Sequence, residues 1–165
     1  MKDRWISLYV ENQVGVLAKV SGLFSGKAYN LKSLTVGTTE EPDCSRMTIR
    51  TTCDDITFEQ IKKQLNRMVE VIKVMDLTDI PIHMKEVMFA KIKKCTASDK
   101  NEVFHIAEVF KVSPVDIGGD SILLECMLTE QQNDELLALL KHSFKHIEIV
   151  RGGSVAIDSI STSCR

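Results

Sequence analysis

Two short segments of the chain carry the polar groups best suited to binding a small molecule. The first segment predicts a strand end, a polar loop and a helix start, and its sequence is Glu11-Asn12-Gln13-Val14-Gly15-Val16-Leu17. The second segment lies just beyond that helix and reads Ala28-Tyr29-Asn30-Leu31. A glycine at a helix start leaves backbone N–H groups uncovered, and their partial positive charge attracts a carboxylate. Asn12 and Asn30 each add an amide with donors and acceptors, which suits the zwitterion of a free amino acid.

The side chains around these groups are mostly aliphatic, which favours a small apolar amino acid as the ligand. The predicted effector-binding residues are Asn12, Gln13, Val14, Gly15, Val16, Leu17, Asn30 and Leu34. The same residues also fit a purely local role, because Asn commonly caps a helix and Gly commonly occupies a turn. Taken alone, these residues leave both interpretations open.

Composition restricts the class of protein. The chain has 165 residues, of which 44% are hydrophobic and 27% charged, and its net charge is −2. These values are typical of a soluble globular protein and predict no nucleic-acid partner. A membrane span is not expected, because no run of 18 apolar residues occurs. The strand pattern begins within the first six residues and leaves no room for a targeting peptide, so the expected location is the cytoplasm.

Cysteine usage predicts reduced thiols. The chain has five cysteines and no CxxC pair, which argues against both a disulfide framework and a zinc site; the cysteines are Cys44, Cys53, Cys95, Cys126 and Cys164. We therefore expect no metal site and no cofactor in this chain.

Hydrophobic periodicity predicts two successive βαββαβ units. The first has strands at about 4–10, 31–38, 45–53 and 71–78, with helices at about 15–28 and 56–68. The second has strands at about 86–95, 113–117, 121–128 and 146–157, with helices at about 99–111 and 130–143. This repeat predicts a structural duplication. The predicted fold class is α+β, with two tandem ferredoxin-like sandwiches at 1–79 and 84–165 joined by a hinge at Ile80-Pro81-Ile82-His83.

Helical spacing also predicts which side chains face the core. In the first helix these are Leu17, Val20, Leu23, Phe24 and Ala28. Because the helices of each unit cover only one face of its sheet, the other face must be solvated or must meet another sheet or subunit.

Three unrelated functions share this topology, so the fold alone does not decide between them. An RNA-recognition module stacks bases on aromatic residues of its central strands, and the segments 34–36 and 47–50 carry none. A phosphatase of the acylphosphatase type needs an arginine in the loop after the first strand, and segment 11–15 contains none. An amino-acid-binding regulatory module needs only a glycine loop at a helix start, which is present.

Longer motifs resemble one family. These are Glu11 to Leu17, Gly22 to Ser25, Tyr29 to Val36, Asp43 to Ile49 and Gln60 to Val74. Together they resemble the small regulatory subunit of acetolactate synthase (acetohydroxyacid synthase), whose N-terminal half is an ACT domain. The resemblance extends more loosely to Glu86–Ile92 and Ile147–Gly153, and the second half departs from the family pattern at Leu128–Gln132, which lacks the usual Thr-Gly pair and Lys.

The resemblance implies a regulatory subunit without an active site. Such a subunit activates a catalytic large subunit that uses thiamine diphosphate, Mg²⁺ and FAD, and it confers feedback inhibition by valine or another branched-chain amino acid. It also implies a homodimer, in which Asn12 and the Gly15 helix start of one chain face Asn30 of the other. Domain 1–79 would then bind the effector, and domain 84–165 would contact the dimer partner or the catalytic subunit.

One competing class stays open beside this one. A stand-alone ACT-type amino-acid sensor would regulate another enzyme or transcription and would not stimulate acetolactate formation. An enzyme ranks last, because the sequence offers no candidate nucleophile, no paired carboxylates and no metal cluster.

Overall fold

The computed structural model describes residues 1–160 and divides the chain into two units. Of the described residues, the first unit contains Met1–His83 and 155–160, and the second contains Met84–Ser154. In the part of the chain that is described, no helix is long and apolar enough to cross a membrane. Cys164, named above among the cysteines, lies outside the described residues, while Cys44, Cys53, Cys95 and Cys126 are free thiols.

The first unit contains a four-stranded antiparallel sheet. Its elements in chain order are β1 (Lys2–Glu11), α1 (Val16–Gly26), β2 (Leu31–Thr38), β3 (Cys44–Cys53), α2 (Asp55–Leu65) and β4 (Val71–Asp76). The strand order is β2-β3-β1-β4, which makes β1 and β3 the central strands and leaves β2 at an edge. Alternate residues of β1, namely Ile6, Leu8 and Val10, point to the helices and are fully buried.

The second unit repeats this arrangement. Its elements are β5 (Ile82–Lys93), α3 (Ala97–Phe110), β6 (Ser113–Ile117), β7 (Ser121–Leu128), α4 (Glu130–Ser143) and β8 (Ile147–Asp158), and its strand order is β6-β7-β5-β8. Met88, Ala90 and Ile92 of β5 alternate into its core. Both units have the predicted element order, so the predicted α+β fold with two ferredoxin-like sandwiches is confirmed.

The structure corrects the predicted inner face of α1. Val16, Val20 and Phe24 are buried, whereas Leu17 is 44% exposed. Helix α1 also ends at Gly26, before the predicted position 28, because Ala28 has a φ of 54° and so leaves the helical conformation. Val20 and Phe24 are buried as predicted and Leu23 packs against the core, so the correction is confined to Leu17 and Ala28.

The predicted hinge is shorter than expected. Ile82 and His83 already belong to β5, so only the chain up to Pro81 lies outside regular structure at this point. Ile82 starts the period-two alternation of burial that continues along β5. Because proline often marks a turn or a linker, Pro81 led to the prediction of a hinge where β5 begins.

Candidate functional site

Helix α1 begins without a side-chain cap. Its N-cap is Gly15, with φ 90° and ψ −11°, and the N–H of Val16 reaches only the Gln13 carbonyl, at 3.4 Å. Since the first-turn N–H groups of a helix have no intrahelical acceptor, this end presents donors and a partial positive charge. No heavy atom lies within 4 Å of the position that a Cβ on Gly15 would take, so the approach to these donors is open.

The other helices of the described chain begin differently. The side chain of Asp54 accepts a hydrogen bond from the Thr57 N–H at the start of α2. Thr96 and Thr129 cap α3 and α4, each within a capping box. Within residues 1–160, α1 is thus the helix whose N-terminal N–H groups have no side-chain cap and are available to a ligand.

Asn12 joins the loop before α1 to the turn between β2 and β3. Its Nδ2 donates to the Pro42 carbonyl at 2.9 Å, its backbone N–H donates to the Asp43 carbonyl at 2.7 Å, and its Oδ1 accepts from Ser45 Oγ at 3.1 Å. The alternative in which Asn12 caps α1 is therefore wrong. An amide has two N–H donors and an acceptor oxygen with two lone pairs, so Asn12 keeps one of each for a ligand.

The predicted apolar residues do not form one wall within a single chain. Val14 is fully exposed and Leu17 is partly exposed, both beside the start of α1, whereas Val16 is buried in the core of its own unit. Gln13 is also exposed. Leu34 lies on β2 and packs against that core. Val14 and Leu17 thus offer apolar surface to a ligand or a partner, and Val16 instead fixes the helix to the sheet.

Asn30 stands far from Asn12 in the same chain. The Asn30 carbonyl accepts a hydrogen bond from Thr51 Oγ1, while Asn12 contacts Ser45, and both partners are on β3. Six residues of an antiparallel strand span about 20 Å. The side chain of Asn30 is exposed and makes no hydrogen bond within residues 1–160. The structure therefore separates the predicted site residues into a loop group around Gly15 and an edge group containing Asn30 and Leu34.

Sequence reasoning missed the polar and aromatic groups on the outer face of the first sheet. Trp5 and Tyr9 lie on the central strand β1, outside the segments 34–36 and 47–50 that were expected to be central. Each ring is covered by a guanidinium, with Arg50 Cζ 5.5 Å and Arg46 Cζ 5.2 Å from the ring centroid. Such cation–π pairs occupy the ring faces that base stacking would need. Period-two alternation along β1 was the signal that could have identified them.

Arg46 binds two side chains of β1 on that face. Its Nε donates to Ser7 Oγ at 2.8 Å, and its Nη1 donates to the Tyr9 hydroxyl at 3.2 Å. Within residues 1–160, its Nη2 is buried without a hydrogen-bond acceptor, and the Asp158 carboxylate is 3.9 Å away. A cavity of about 280 Å³ adjoins Arg46 and Tyr9.

The second unit contains a buried ion pair. Glu86, only 4% exposed, accepts from Arg151 Nε at 3.0 Å and from Arg151 Nη2 at 2.6 Å. Asn133 Nδ2 donates to the same carboxylate at 3.0 Å. Hydrogen bonds to Glu86 raise the pKa of Arg151 above its usual range. This network fixes the start of β5 to β8 and α4.

Within residues 1–160, no group of three or more His, Cys, Asp or Glu side chains is arranged to hold a metal ion. Burial raises the pKa of the Cys126 thiol to about 11, so this cysteine is protonated at neutral pH. Neither observation supplies a nucleophile for catalysis.

Models of two protein families match this chain, one on each half. The model of the AHAS small subunit-like ACT domain matches residues 6–73. The model of the small subunit of acetolactate synthase matches residues 85–160.

Full-length relatives extend the match across both halves. The acetolactate synthase small subunit of Aquifex aeolicus is 39% identical over 152 residues, which cover 92% of this chain and 79% of the relative. This chain belongs to the acetolactate synthase small subunit family. The isozyme 3 small subunit of Salmonella typhimurium is 36% identical over 154 residues, with 93% of this chain and 94% of that protein covered.

A solved structure agrees with the family assignment. The crystal structure of the acetolactate synthase small subunit from Thermotoga maritima matches with a TM-score of 0.87 at 32% identity, covering 96% of this chain and 98% of that one. The family suggested by the sequence motifs is therefore confirmed. The residues of the effector site are not tested by this likeness and stay a prediction.

Proposed function

We propose that this chain is the regulatory subunit of an acetolactate synthase and that it binds a branched-chain amino acid, with valine as the first candidate. The observation that carries this proposal is the uncapped start of α1 at Gly15, in a chain of the small-subunit family. Exposed N–H groups at a helix start suit the α-carboxylate of an amino acid. The remaining N–H and lone pair of Asn12 suit the rest of the zwitterion.

We propose further that the complete site needs two copies of the chain. Within residues 1–160, the loop group around Gly15 and the edge group containing Asn30 both keep polar groups without a hydrogen-bond partner. The two groups are anchored at Ser45 and Thr51, which lie six residues apart on β3 and so about 20 Å apart in one chain. One valine cannot span that distance. Two copies related by a twofold axis would bring the loop group of one to the edge group of the other. The exposed Val14 and the unpaired edge of β2 support the same arrangement, because both would be covered.

The contacts available are sufficient for feedback by a metabolite. A charge-assisted hydrogen bond contributes about 1.5–3 kcal/mol, and burial of an isopropyl group contributes about 1.5–3 kcal/mol. After the loss of rigid-body freedom on binding, the expected dissociation constant is micromolar to sub-millimolar. One methylene changes the binding free energy by only about 1–3 kcal/mol, so isoleucine and leucine compete with valine.

The catalytic chemistry is assigned to the partner. The large subunit would hold thiamine diphosphate, Mg²⁺ and FAD, and this chain would act by changing the activity of that subunit in the cytoplasm. For such control the effector must bind two states of the assembly with unequal affinity. The second domain, with its rigid Glu86–Arg151 pair, is the candidate contact with the large subunit or with the second copy.

The deciding experiment is acetolactate formation by the cognate large subunit, with and without this chain, across a valine titration. Stimulation that valine reverses is the expected result. Stimulation that no branched-chain amino acid reverses would contradict the effector site but keep the partner. No stimulation at all would contradict the partner and favour a stand-alone amino-acid sensor, which valine binding to the isolated chain would then identify.

A further inference from the structure

Arg46 on β3 and Asp158 at the end of β8 form an ion pair that is not fully closed. Arg46 Nη2 and Asp158 Oδ1 are 3.9 Å apart, about 1 Å longer than a hydrogen-bonded pair of these groups. Two of the three guanidinium nitrogens of Arg46 have acceptors on β1, whereas Nη2 is buried and has no acceptor among the described residues. A buried donor without an acceptor is unfavourable, so a small movement that brings Asp158 into contact would be favoured.

The surroundings permit this movement. Asp158 is the last residue of β8, and the chain just after it is held in place by the Ser159 N–H, which donates to the Pro81 carbonyl at 2.9 Å. The side chain of Asp158 is 34% exposed and is free to change rotamer. The cavity of about 280 Å³ beside Arg46 is also lined by Val155, so closure meets no packed core.

Arg46 is connected to the proposed effector loop through its neighbour in the chain. Ser45 and Arg46 are consecutive residues of β3, so their side chains point to opposite faces of the sheet. Ser45 donates to Asn12 in the loop, and Arg46 faces Asp158 on the other side. A ligand that moves Asn12 therefore moves Ser45, and the shared backbone carries the displacement to Arg46.

We propose that Asp158 closes onto Arg46 when an amino acid occupies the loop at Asn12 and Gly15, and that Ser45 couples the two events. This inference rests on the proposed effector site and adds the route by which that site is read. Strand β8 is continuous from Ile147, in the second unit, to Asp158, in the first. A displacement of Asp158 on effector binding would therefore pass along the backbone of β8. Coupling of this kind acts equally in both directions, so a closed Asp158 raises the affinity for the effector.

Two substitutions at position 158 test the closure: one should favour the contact with Arg46 and the other should prevent it. Asp158→Glu adds one methylene, which lets the carboxylate reach Nη2 without a ligand, and Asp158→Asn keeps the shape but removes the charge. Glu148→Gln is the matched control, because Glu148 lies on the same strand and pairs instead with Lys93 at 2.5 Å. The side chains of Asp158 and Glu148 are 34% and 52% exposed, so all three variants are expected to fold.

The first measurement needs no effector. Hydrogen exchange of the Asn12 amide, which donates to the Asp43 carbonyl at 2.7 Å, is followed in the effector-free chain. Closure by Asp158→Glu should slow this exchange about fivefold, the low end of measured coupling between sites. Asp158→Asn should not slow it. Equal exchange in the two variants would overturn the proposal and would leave a bridging water as the partner of Nη2.

The second measurement uses valine, followed by leucine and isoleucine. Asp158→Glu should lower the valine dissociation constant about fivefold, Asp158→Asn should raise it, and Glu148→Gln should leave it at the wild-type value. Wild-type affinity in both Asp158 variants would refute the coupling while the effector site stands. If the wild-type chain binds none of the three amino acids, the proposed effector site fails, and the exchange measurement alone decides whether Asp158 and Asn12 are connected.

Discussion

Ser45 Oγ lies 3.1 Å from Asn12 Oδ1 and donates a hydrogen bond to it, across 33 positions of the sequence. This bond fixes which way the Asn12 amide points, since Oδ1 must face Ser45 and Nδ2 then faces the Pro42 carbonyl. The loop before α1 is thus held in one conformation by the turn between β2 and β3. A loop ordered in advance loses less conformational entropy when it binds a ligand.

Removal of the Ser45 hydroxyl should weaken effector binding without unfolding the domain. One lost hydrogen bond corresponds to about 1 kcal/mol, so Ser45→Ala should raise the valine dissociation constant about fivefold. Calorimetric titration of the isolated chain measures this change. Ser21→Ala is the control, because the Ser21 hydroxyl donates only to the Ala18 carbonyl of its own helix. Equal loss of affinity in both variants would contradict a specific role for Ser45.

Charge at position 15 should abolish feedback while partner activation survives. Gly15→Asp places a carboxylate where the carboxylate of the ligand is proposed to bind, and the open space around Gly15 accommodates the side chain. Gly15→Asn has nearly the same shape and, like Asp, tolerates a positive φ, so both variants share the backbone strain. The valine titration of acetolactate formation should be flat for Asp and shifted but still present for Asn. An unaltered valine response in Gly15→Asp would refute the site.

A mixture of two defective chains should restore one working site. If Gly15 of one chain and Asn30 of its partner build each site, then homodimers of Gly15→Asp and of Asn30→Ala each contain two damaged sites. Their heterodimer contains one site with both changes and one with neither. Random pairing in a 1:1 co-refolded mixture makes about half of the dimers heterodimers, and each of these has one intact site of two. The mixture should therefore regain valine binding at about a quarter of the wild-type capacity, whereas each variant alone binds weakly. No recovery in a mixture that demonstrably forms heterodimers would contradict a site shared between chains.

The elements of this fold follow from local sequence, and its site only partly does. The hairpin connections at 40–43 and 118–120 fall between clear alternating strands, and the predicted bounds of β6, β7 and α4 agree with the structure. The inner face of helix α1 is harder to predict from the sequence, because Val16 and Leu17 are both apolar and adjacent. Packing against β1 and β3 decides which of them is buried, and the sequence does not contain that information in its local periodicity.

Long-range polar contacts account for the rest of the difference. Asn12 looked like a helix cap because caps are local, yet its partners lie about 30 residues away. The contacts of Arg46 with Ser7 and Tyr9 depend on the register between β1 and β3, in which Tyr9 lies opposite Arg46. Register follows from the tertiary structure and was not assigned from the sequence. A motif such as Ser45-Arg46-Met47-Thr48 could be matched to a family, but the partners of its side chains could not be derived.

Acid should reveal the contribution of Asp3 on the outer face of the first sheet. Burial opposes ionisation of Asp3, but hydrogen bonds from Thr52, Lys32 and Arg50 outweigh it and hold its pKa well below the usual range. A carboxylate with a lowered folded-state pKa stabilises the protein above its unfolded pKa of about 3.9, and this contribution is lost as pH falls through the folded-state value.

Asp3→Asn should therefore lower the free energy of unfolding at pH 7 and leave a shallower decline below pH 4. Urea unfolding at a series of pH values measures both effects. Glu102→Gln, on the exposed side of α3, is the control and should follow the wild-type curve. A decline below pH 4 as steep in Asp3→Asn as in the wild type would contradict this role of Asp3.

Removing one partner of the Glu86–Arg151 ion pair should lower the free energy of unfolding far more than replacing both partners. Within residues 1–160, Arg151→Met leaves the Glu86 carboxylate, 4% exposed, with Asn133 as its remaining side-chain donor. An uncompensated buried charge destabilises a protein by about 3–5 kcal/mol, whereas replacing both partners by apolar residues is often neutral. Urea unfolding should therefore show a large loss for Arg151→Met and recovery in Glu86→Leu/Arg151→Met.

The same variants test what the second domain does. If its role is only to be folded, the stable double variant should still stimulate the large subunit as the wild type does. If the exposed part of Arg151 contacts the partner, the double variant should be stable yet fail to stimulate. Asp134→Asn helps to distinguish these outcomes. Asp134 is exposed and accepts from Arg151 Nη1 at 2.5 Å, so its substitution perturbs Arg151 but leaves the buried Glu86 carboxylate paired. Stimulation that tracks stability in all three variants would confine Arg151 to a structural role.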